Sequence, residues 1–328
     1  MSIYVRDAAG NRQKIAGVGL PGPAGKSAYQ YAVEGGFSGT EEEFRAVVGV
    51  RSNPNLLDNW YFVDPINQRG QIKYTDDRNS GVYSIDRWEV GWLGTIEVHD
   101  GFIRIVGGPQ KGSVFNLQQK LEQTKKLNGR IVTASIMYSH SHENIGFGLW
   151  DQFASLPNTN GNIGVFSTTK IYREGETFAI MATSENATID IYAVKLELGP
   201  VQTLAHKEGD TWVLNDLPPD PTLELLKCQR YQMIYRDQVP GLAHRFNNLF
   251  LLFTKLPVPL RTRPNVSVGG RVIMRTAGQY IPVTNVTFDT YNNGTMLLAL
   301  SYDGTADSDV ADIIISGSDS YVAMDANL

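Results

Sequence analysis

The chain has 328 residues, 42% of them hydrophobic and 10% aromatic, with a formal net charge of -5. That composition belongs to a folded protein, long enough for two ordinary domains at roughly 100–200 residues each, and excludes a disordered chain. Lys and Arg are scattered without a basic run, which excludes a nucleic-acid footprint. No stretch nears the roughly 18 apolar residues of a membrane span, and the one cysteine, Cys228, cannot form an intrachain disulfide.

The opening MSIYVRDAAGNRQKIAG has no apolar h-region, so no secretory signal is read there and synthesis in a cytoplasm is expected. Next come three in-register triplets, Gly19-Leu20-Pro21, Gly22-Pro23-Ala24 and Gly25-Lys26-Ser27. A collagen triple helix needs Gly at every third place because only hydrogen fits at its crowded axis. This run would make a rod of about 28 Å at about 3.1 Å per residue, too short to trimerise without trimeric neighbours. An extended Pro/Gly linker is the competing reading. Ser27 is placed to cap a helix AYQYAVE that stops at Gly35-Gly36. Thr40, with Glu43 three residues on, is placed to cap a second helix carrying Phe44, Val47 and Val48 on one side and ending at Gly49. Helices this short need a partner, and identical chains around a threefold axis would supply one.

The run GLPGPAGKSAYQYAVEGGFSGTEEEF resembles the collagen-plus-helical-hairpin element near the start of many tail-fibre proteins of phages and prophages of Gram-positive gut bacteria. The resemblance implies a homotrimer whose N-terminal part faces a baseplate or tail protein.

From Asn55 to about His206 the pattern is of short strands rich in β-branched and aromatic residues, bounded by Gly, Asn and Asp. The expected strands are 101–107, 130–139, 144–150, 162–169, 176–183 and 187–199. Residues 116–127 (NLQQKLEQTKKL) read as a helix, or as a polar loop and strand. Many short strands at near-regular spacing indicate a β-sandwich. The segment opens on Asn55-Leu56-Leu57-Asp58-Asn59 and closes on Lys195-Leu196-Glu197-Leu198-Gly199. In this it resembles the jelly-roll carbohydrate-binding domains of phage fibres and glycosidases, which open on N-L-L-x-N and close on K-L-E-x-G.

After the stiff turn Asp216 to Pro221, TLELLKCQRYQMIY reads as a helix started by Pro221. Its apolar stripe holds Leu223, Leu226, Arg230 and Ile234. LLKCQRY resembles the connector that follows the jelly roll in the fibre proteins. Three copies side by side on an axis, or one helix lying on its own domain, would both bury such a stripe. The remainder is again β: Pro257, Pro259 and Pro264 confine their segment to edges or bends. VTNVTFDTY and TMLLALSY flank an Asn292-Asn293-Gly294 turn as a hairpin, and ADIIISG adds a strand. In fibre proteins such a C-terminal β domain is the distal tip.

Candidate chemistry is sparse. There is no G-x-S-x-G, H-E-x-x-H, P-loop or C-x-x-C motif. The acid pairs Asp76/Asp77 and Glu174/Glu176 do not by themselves make a glycosidase pair. No internal repeat of a depolymerase β-helix is present. His140 and His142 lie two apart and would point the same way in a strand. Three chains would then bring six imidazoles to an axial metal ion; otherwise they are exposed turn residues. Asp303, Asp307, Asp309 and Asp312 lack EF-hand spacing and read as a solvated turn or a calcium loop. Pyranose rings stack on flat aromatic faces while their hydroxyls pair with polar side chains. Trp88, Trp92 and Trp150, with Asp151 beside the last, are therefore candidate glycan contacts, as are Tyr280, Tyr291, Tyr302 and Tyr321 at the tip. Burial in the core is the alternative for each.

The expected architecture is thus mainly β, an elongated homotrimer. Its parts are an attachment and collagen-like segment (1–27), a helical hairpin (28–50), a jelly-roll β-sandwich (51–206), a helical connector (207–235) and a C-terminal β-sandwich tip (236–328). Gly19, Gly22, Gly25, Leu223 and Leu226 would lie on the trimer axis. The expected role is a virion-tail adhesin, not an enzyme, that binds a host cell-surface glycan without a cofactor, nucleic acid or membrane insertion. A polysaccharide-cleaving tail spike and a structural spacer of a phage-tail-like bacteriocin are the alternatives.

Overall fold

The computed structural model describes residues 3–6, 9, 11–16, 27–36, 38–41, 52–76, 81–108, 115–142, 145–150, 152–182, 187–292 and 295–327. The chain divides into two units, Met1–Arg51 and Ser52–Leu328. In the first, β1 (Ile3–Arg6) pairs antiparallel with β2 (Arg12–Ala16). Helix α1 (Ala28–Glu34) starts at Ser27 as expected. The Ser27 hydroxyl accepts from the Gln30 amide at 3.2 Å, and the Gln30 side chain accepts from the Ser27 amide at 2.8 Å, so two orphan donors are satisfied reciprocally. The triplet glycines Gly19, Gly22 and Gly25, and residues 42–50 of the second expected helix, lie outside the described residues.

The second unit opens with a β-sandwich. Its strands are β3 (Lys73–Thr75), β4 (Val82–Tyr83), β5 (Glu89–Gly91), β6 (Thr95–His99), β7 (Phe102–Val106), β8 (Phe115–Lys120), β9 (Ile131–Ser139), β10 (Ile145–Leu149), β11 (Ala154–Ser155), β12 (Gly164–Ile171), β13 (Thr177–Ala182) and β14 (Thr188–Leu198). One sheet has the order β11-β10-β13-β8-β5-β4 and the other β12-β9-β14-β7-β6-β3, with antiparallel pairing throughout. From β7 onward the chain crosses to the opposite sheet at nearly every connection, the winding of a jelly roll. The inward residues of both sheets make one core, which includes Phe62, Trp88, Phe115, Ile136, Phe147, Phe178 and Leu196. Between β8 and β9 lies the single turn α2 (Thr124–Leu127). The helix reading of residues 116–127 is therefore corrected: their first half is strand, because Leu117 and Gln119 alternate inward and pair with Ile180 and Phe178 of β13.

The two motifs that open and close this domain meet. The Leu56 amide donates to the Leu196 carbonyl at 2.8 Å. The Asn55 side chain donates to the Val194 carbonyl at 2.9 Å and accepts from the Leu57 and Leu196 amides, both at 3.1 Å. Lys195 and Glu197 are fully buried. Lys195 reaches Asp216 at 2.7 Å and also Ser52, while Glu197 accepts from the Thr203 amide and hydroxyl at 2.7 and 2.5 Å. Burying these charges is affordable only because each has partners. A hairpin, β15 (Ala205–Glu208) with β16 (Thr211–Leu214), follows.

Helix α3 (Pro221–Gln229) is capped by Asp220, whose carboxylate accepts from the Thr222 and Leu223 amides. It is shorter than expected. Gln232–Tyr235 forms strand β17 instead, paired with the C-terminal strand, where Met233 is buried. The buried side of α3 carries Glu224 and Cys228, not the expected stripe; Leu223 is 61% exposed and Leu226 half-buried. Glu224 accepts from the Asn59 amide at 2.5 Å and from Lys227 at 2.8 Å, which ties the helix to the sandwich. Burial pushes the Cys228 thiol well above its usual range.

The C-terminal strands are β18 (Gln238–Phe246), β19 (Leu249–Lys255), β20 (Asn265–Thr276), β21 (Gln279–Asn292), β22 (Thr295–Tyr302) and β23 (Val310–Asp325). They run β23-β18-β19-β22-β21-β20, and β20 pairs back onto β23. The tip is thus a closed antiparallel barrel, which corrects the expected second sandwich. Closure removes free sheet edges. It is made possible by a bulge in β20, where the register shifts between Gly269 and Arg271. Gly270 has φ +63, and a Cβ there would sit 2.3 Å from the Ser320 hydroxyl oxygen and 2.8 Å from the Ser320 Cα. The β21–β22 hairpin forms as expected, with its Asn293-Gly294 turn outside the described residues.

Candidate functional site

The sandwich sheet β11-β10-β13-β8-β5-β4 turns one face to the core and the other outward. Strand alternation fixes which residues lie outward. Phe115 and Leu117 of β8, Phe178 and Ile180 of β13, and Phe147 and Leu149 of β10 are buried in the core. Their alternates therefore form two cross-strand rows on the opposite face. One row is Gly91, Asn116, Met181 and Gly146; the other is Glu89, Gln118, Ala179 and Gly148. The β5 and β8 side of this floor is polar, and the β13 and β10 side is built mostly from small residues.

Three aromatic rings stand together on this part of the domain. Trp92 follows β5 and is 38% exposed; Trp150 follows β10 and is half-buried. Their rings meet edge to face, centroids 5.4 Å apart, and Trp150 meets Phe153 the same way at 5.7 Å. Gly146 leaves room for this cluster: a Cβ there would be 3.3 Å from the Phe153 Cβ. Trp150 is held by its own amide, which donates to the Thr177 carbonyl at 2.8 Å. Trp92 and Leu93 take left-handed backbone with φ 58 and 63, so the chain bends sharply where Trp92 is presented. On the floor, the Asn116 amide group donates to Gln118 at 3.2 Å, while its Oδ1 is buried without a hydrogen-bond partner. Glu89 lies 3.7 Å from Lys120. Flat apolar rings beside amides and an ion pair suit a ligand with both an apolar ring face and hydroxyls.

Of the residues singled out from sequence, Trp92 and Trp150 come together here; Asp151 lies outside the described residues. Trp88 does not join them. It is fully buried, edge-on to Phe62 and Phe178, and its indole N–H donates to the Asn59 carbonyl at 2.8 Å. Its polar neighbours misled: Asp86 and Arg87 are themselves buried and satisfied, Asp86 by Gln68 at 2.7 and 2.9 Å and Arg87 by Asp58 at 3.1 Å and the Tyr231 ring. Burial raises the Asp86 carboxyl above its usual range. Phe153, Asn116 and Gln118 were missed. The W-x-x-F spacing was the available signal for Phe153, and reading residues 116–120 as a strand would have placed the two amides on one face.

At the barrel, Tyr280 is 60% exposed, whereas Tyr302 is half-buried against Phe250 at 5.4 Å and belongs to the barrel packing. The Tyr291 side chain lies outside what is described. His140 is not an exposed turn residue. It is buried, stacked on Tyr138 at 5.3 Å, and its Nδ1 accepts from the His142 amide at 3.2 Å. His142 Nε2 lies 3.1 Å from the Thr188 hydroxyl. Burial lowers the His140 pKa below its usual value, against the opposing effect of Pro157 and His142 backbone contacts. Among the described residues no three His, Cys, Asp or Glu are grouped to hold a metal ion. Asp312 is engaged by Arg275, and Asp309 lies 4.0 Å from Arg245. Of the acid pairs, Asp77 lies outside the described residues. Glu174 is exposed, and Glu176 is engaged by Gln152 and by the Arg173 amide at 2.7 Å. No helix among the described residues is long and apolar enough to cross a membrane.

No protein-family model and no curated protein sequence matches the chain. Solved structures with some likeness include a CBM22-1 xylan-binding domain of Paenibacillus barcinonensis Xyn10C, 11% identical, TM-score 0.29, over 45% of this chain and 96% of that one. The tandem CBM22-1–CBM22-2 of the same protein is 10% identical, TM-score 0.29, over 84% of this chain and 98% of that one. The enzymatically active domain of bacteriophage CBA120 tailspike protein 4 is 13% identical, TM-score 0.25, over 44% of this chain and 21% of that one.

Proposed function

We propose that this protein is a trimeric tail-fibre adhesin, carried on the tail of a phage, prophage or phage-tail-like bacteriocin, that holds a carbohydrate of the host cell surface. The observation that carries this reading is the Trp92–Trp150–Phe153 cluster on an outward sheet face with Asn116 and Gln118. A pyranose stacks its C–H face on such rings and pairs its hydroxyls with Gln118, which is half-buried and held by the buried Asn116 amide beneath it. The Gly-X-Y triplets from Gly19 to Ser27 support three chains, because glycine at every third place is what a crowded three-chain axis requires. Gly19, Gly22 and Gly25 would lie on that axis, and exposed Leu223 with Leu226 of α3 would be covered near it. Residues N-terminal to the triplets would attach to the baseplate or tail. Three sites on one fibre, and several fibres on one particle, turn weak single contacts into firm attachment. The role is adhesion and not cleavage, and it uses no cofactor.

The test is retention of the full chain on an array of purified bacterial surface polysaccharides. Binding without new reducing ends is the expected result. Release of reducing ends would give the polysaccharide-cleaving alternative. No retention of the protein, even when displayed multivalently, would leave the structural spacer.

A further inference from the structure

The outward face of the C-terminal barrel is apolar over three adjoining strands. Inward residues Phe250 and Leu252 of β19, and Met296, Leu298 and Leu300 of β22, fill the barrel. Their alternates face out, in cross-strand register. Leu242 stands opposite Phe253, which stands opposite Leu297. His244 stands opposite Leu251, which stands opposite Ala299. Phe246 stands opposite Leu249. Leu242 is 52% exposed, Phe246 60% and Phe253 54%. At roughly 200 Å² per aromatic side chain, the two phenylalanines alone leave about 200 Å² of ring surface in water. With Leu242 and the half-buried flanks, the patch is on the order of a few hundred Å², the size of the largest apolar patch on a typical soluble protein, which is often functional. The titratable side chains of the face are His244, within it, and exposed Lys255 at its end, opposite Thr295.

From this we infer that barrels of separate copies of this chain meet on the β18–β19–β22 face. The inference rests on the trimeric reading above, and names the surface that serves it. Two observations favour a second copy as the occupant. The Gly-X-Y triplets, read as a three-chain rod, would bring further copies of this same chain together. The rows through Leu242–Phe253–Leu297, His244–Leu251–Ala299 and Phe246–Leu249 carry no carboxylate, lysine or arginine, and the face's lysine, Lys255, stands at its end opposite Thr295. Identical faces brought together around an axis confront like with like, so a fixed charge there would meet its own sign. A centre without one, with the single lysine at the margin, suits self-association, whereas a polar partner would be matched by charged groups within the face.

The experiment uses the full chain and two variants. Mass is measured by light scattering and analytical ultracentrifugation across a dilution series, against 36.3 kDa for one chain. Phe253→Asp places a charge on the face without touching the barrel interior. It is expected to raise the apparent dissociation constant of the assembly at least about tenfold with an unchanged circular dichroism spectrum. Leu242→Cys reports without disrupting: Cys228 is buried, so maleimide reads only the new thiol. Its labelling is expected to be slow in the assembly and fast on dilution to single chains. A wild-type trimer whose Leu242→Cys thiol labels at the same rate in both states would overturn this inference and leave the trimeric reading intact. A wild-type chain that weighs as one copy would overturn both. Slow labelling in a protein that weighs as one copy would put another part of the same chain on the face and overturn the inference as well.

Discussion

Replacing Asn59 with alanine should destabilise the sandwich by about 3–5 kcal/mol. Asn59 is buried, has left-handed backbone with φ 51, and closes the opening motif of the domain. Its side chain donates to the Ile66 and Asp86 carbonyls at 2.9 and 2.8 Å and accepts from the Ile66 amide at 2.8 Å. Truncation strands these partners. A buried group left unpaired costs about 1–3 kcal/mol; the Ile66 groups, being half-buried, regain water more easily than the Asp86 carbonyl. Left-handed backbone adds about 1–2 kcal/mol for a residue with a Cβ and no local side-chain hydrogen bond. Asn59→Gly escapes that second cost and should be milder than Asn59→Ala by about 1 kcal/mol. All five tryptophans lie at or before Trp212, so their fluorescence in a urea titration reports the sandwich and not the barrel. An Asn59→Ala transition within 0.5 kcal/mol of wild type, a difference at the edge of ordinary surface substitutions, would refute this reasoning. So would a glycine variant worse than the alanine one.

Three further outcomes follow from the geometry. Asp216→Ala leaves the Lys195 ammonium buried with Ser52 as its remaining partner, and should cost about 2–4 kcal/mol in the same titration; adding Lys195→Met should recover most of it. Gly270→Ala should cost about 2–5 kcal/mol through its positive φ and the collision with Ser320, read by differential scanning calorimetry as a lowered barrel transition. His140 titrates below its unfolded value of about 6.5, so the unfolded chain binds the proton first. Stability contributed by neutral His140 should therefore be whole above that pH and decline as pH falls through it towards the folded pKa; His140→Asn should flatten the decline that sets in below about pH 6.5 in denaturation midpoints.

Strands with strong alternation were legible in the sequence. FIRIV and IVTASIMYS carry their inward residues at every second place, TIDIYAVKLEL does so on either side of an irregularity between Ile191 and Ala193, and the expected boundaries fall within two residues of β7, β9 and β14. Short strands such as Val82–Tyr83 and Glu89–Gly91 offer no period to read. The connector helix is shorter than the sequence implies because QMIY suits either a helix stripe or a strand, and pairing with β23 decides for strand. The tip was recognised as β, but its closure was not visible. Closure depends on one long strand, β23, bonding to β18 on one side and β20 on the other, which local sequence does not encode. The candidate site was half legible. Polar surroundings in sequence single out Trp92, Trp150 and Trp88 alike, but Trp88 is core, because Asp86 and Arg87 make buried hydrogen bonds instead of meeting solvent.

The most direct measurement is binding of the double variant Trp92→Ala/Trp150→Ala to whichever surface polysaccharide retains the wild-type protein. Both rings are partly exposed, so the variant should keep its fold and assembly by circular dichroism and light scattering. Retention falling to the level of an uncoated surface is the result predicted for a carbohydrate held on those rings. Retention equal to wild type would contradict it.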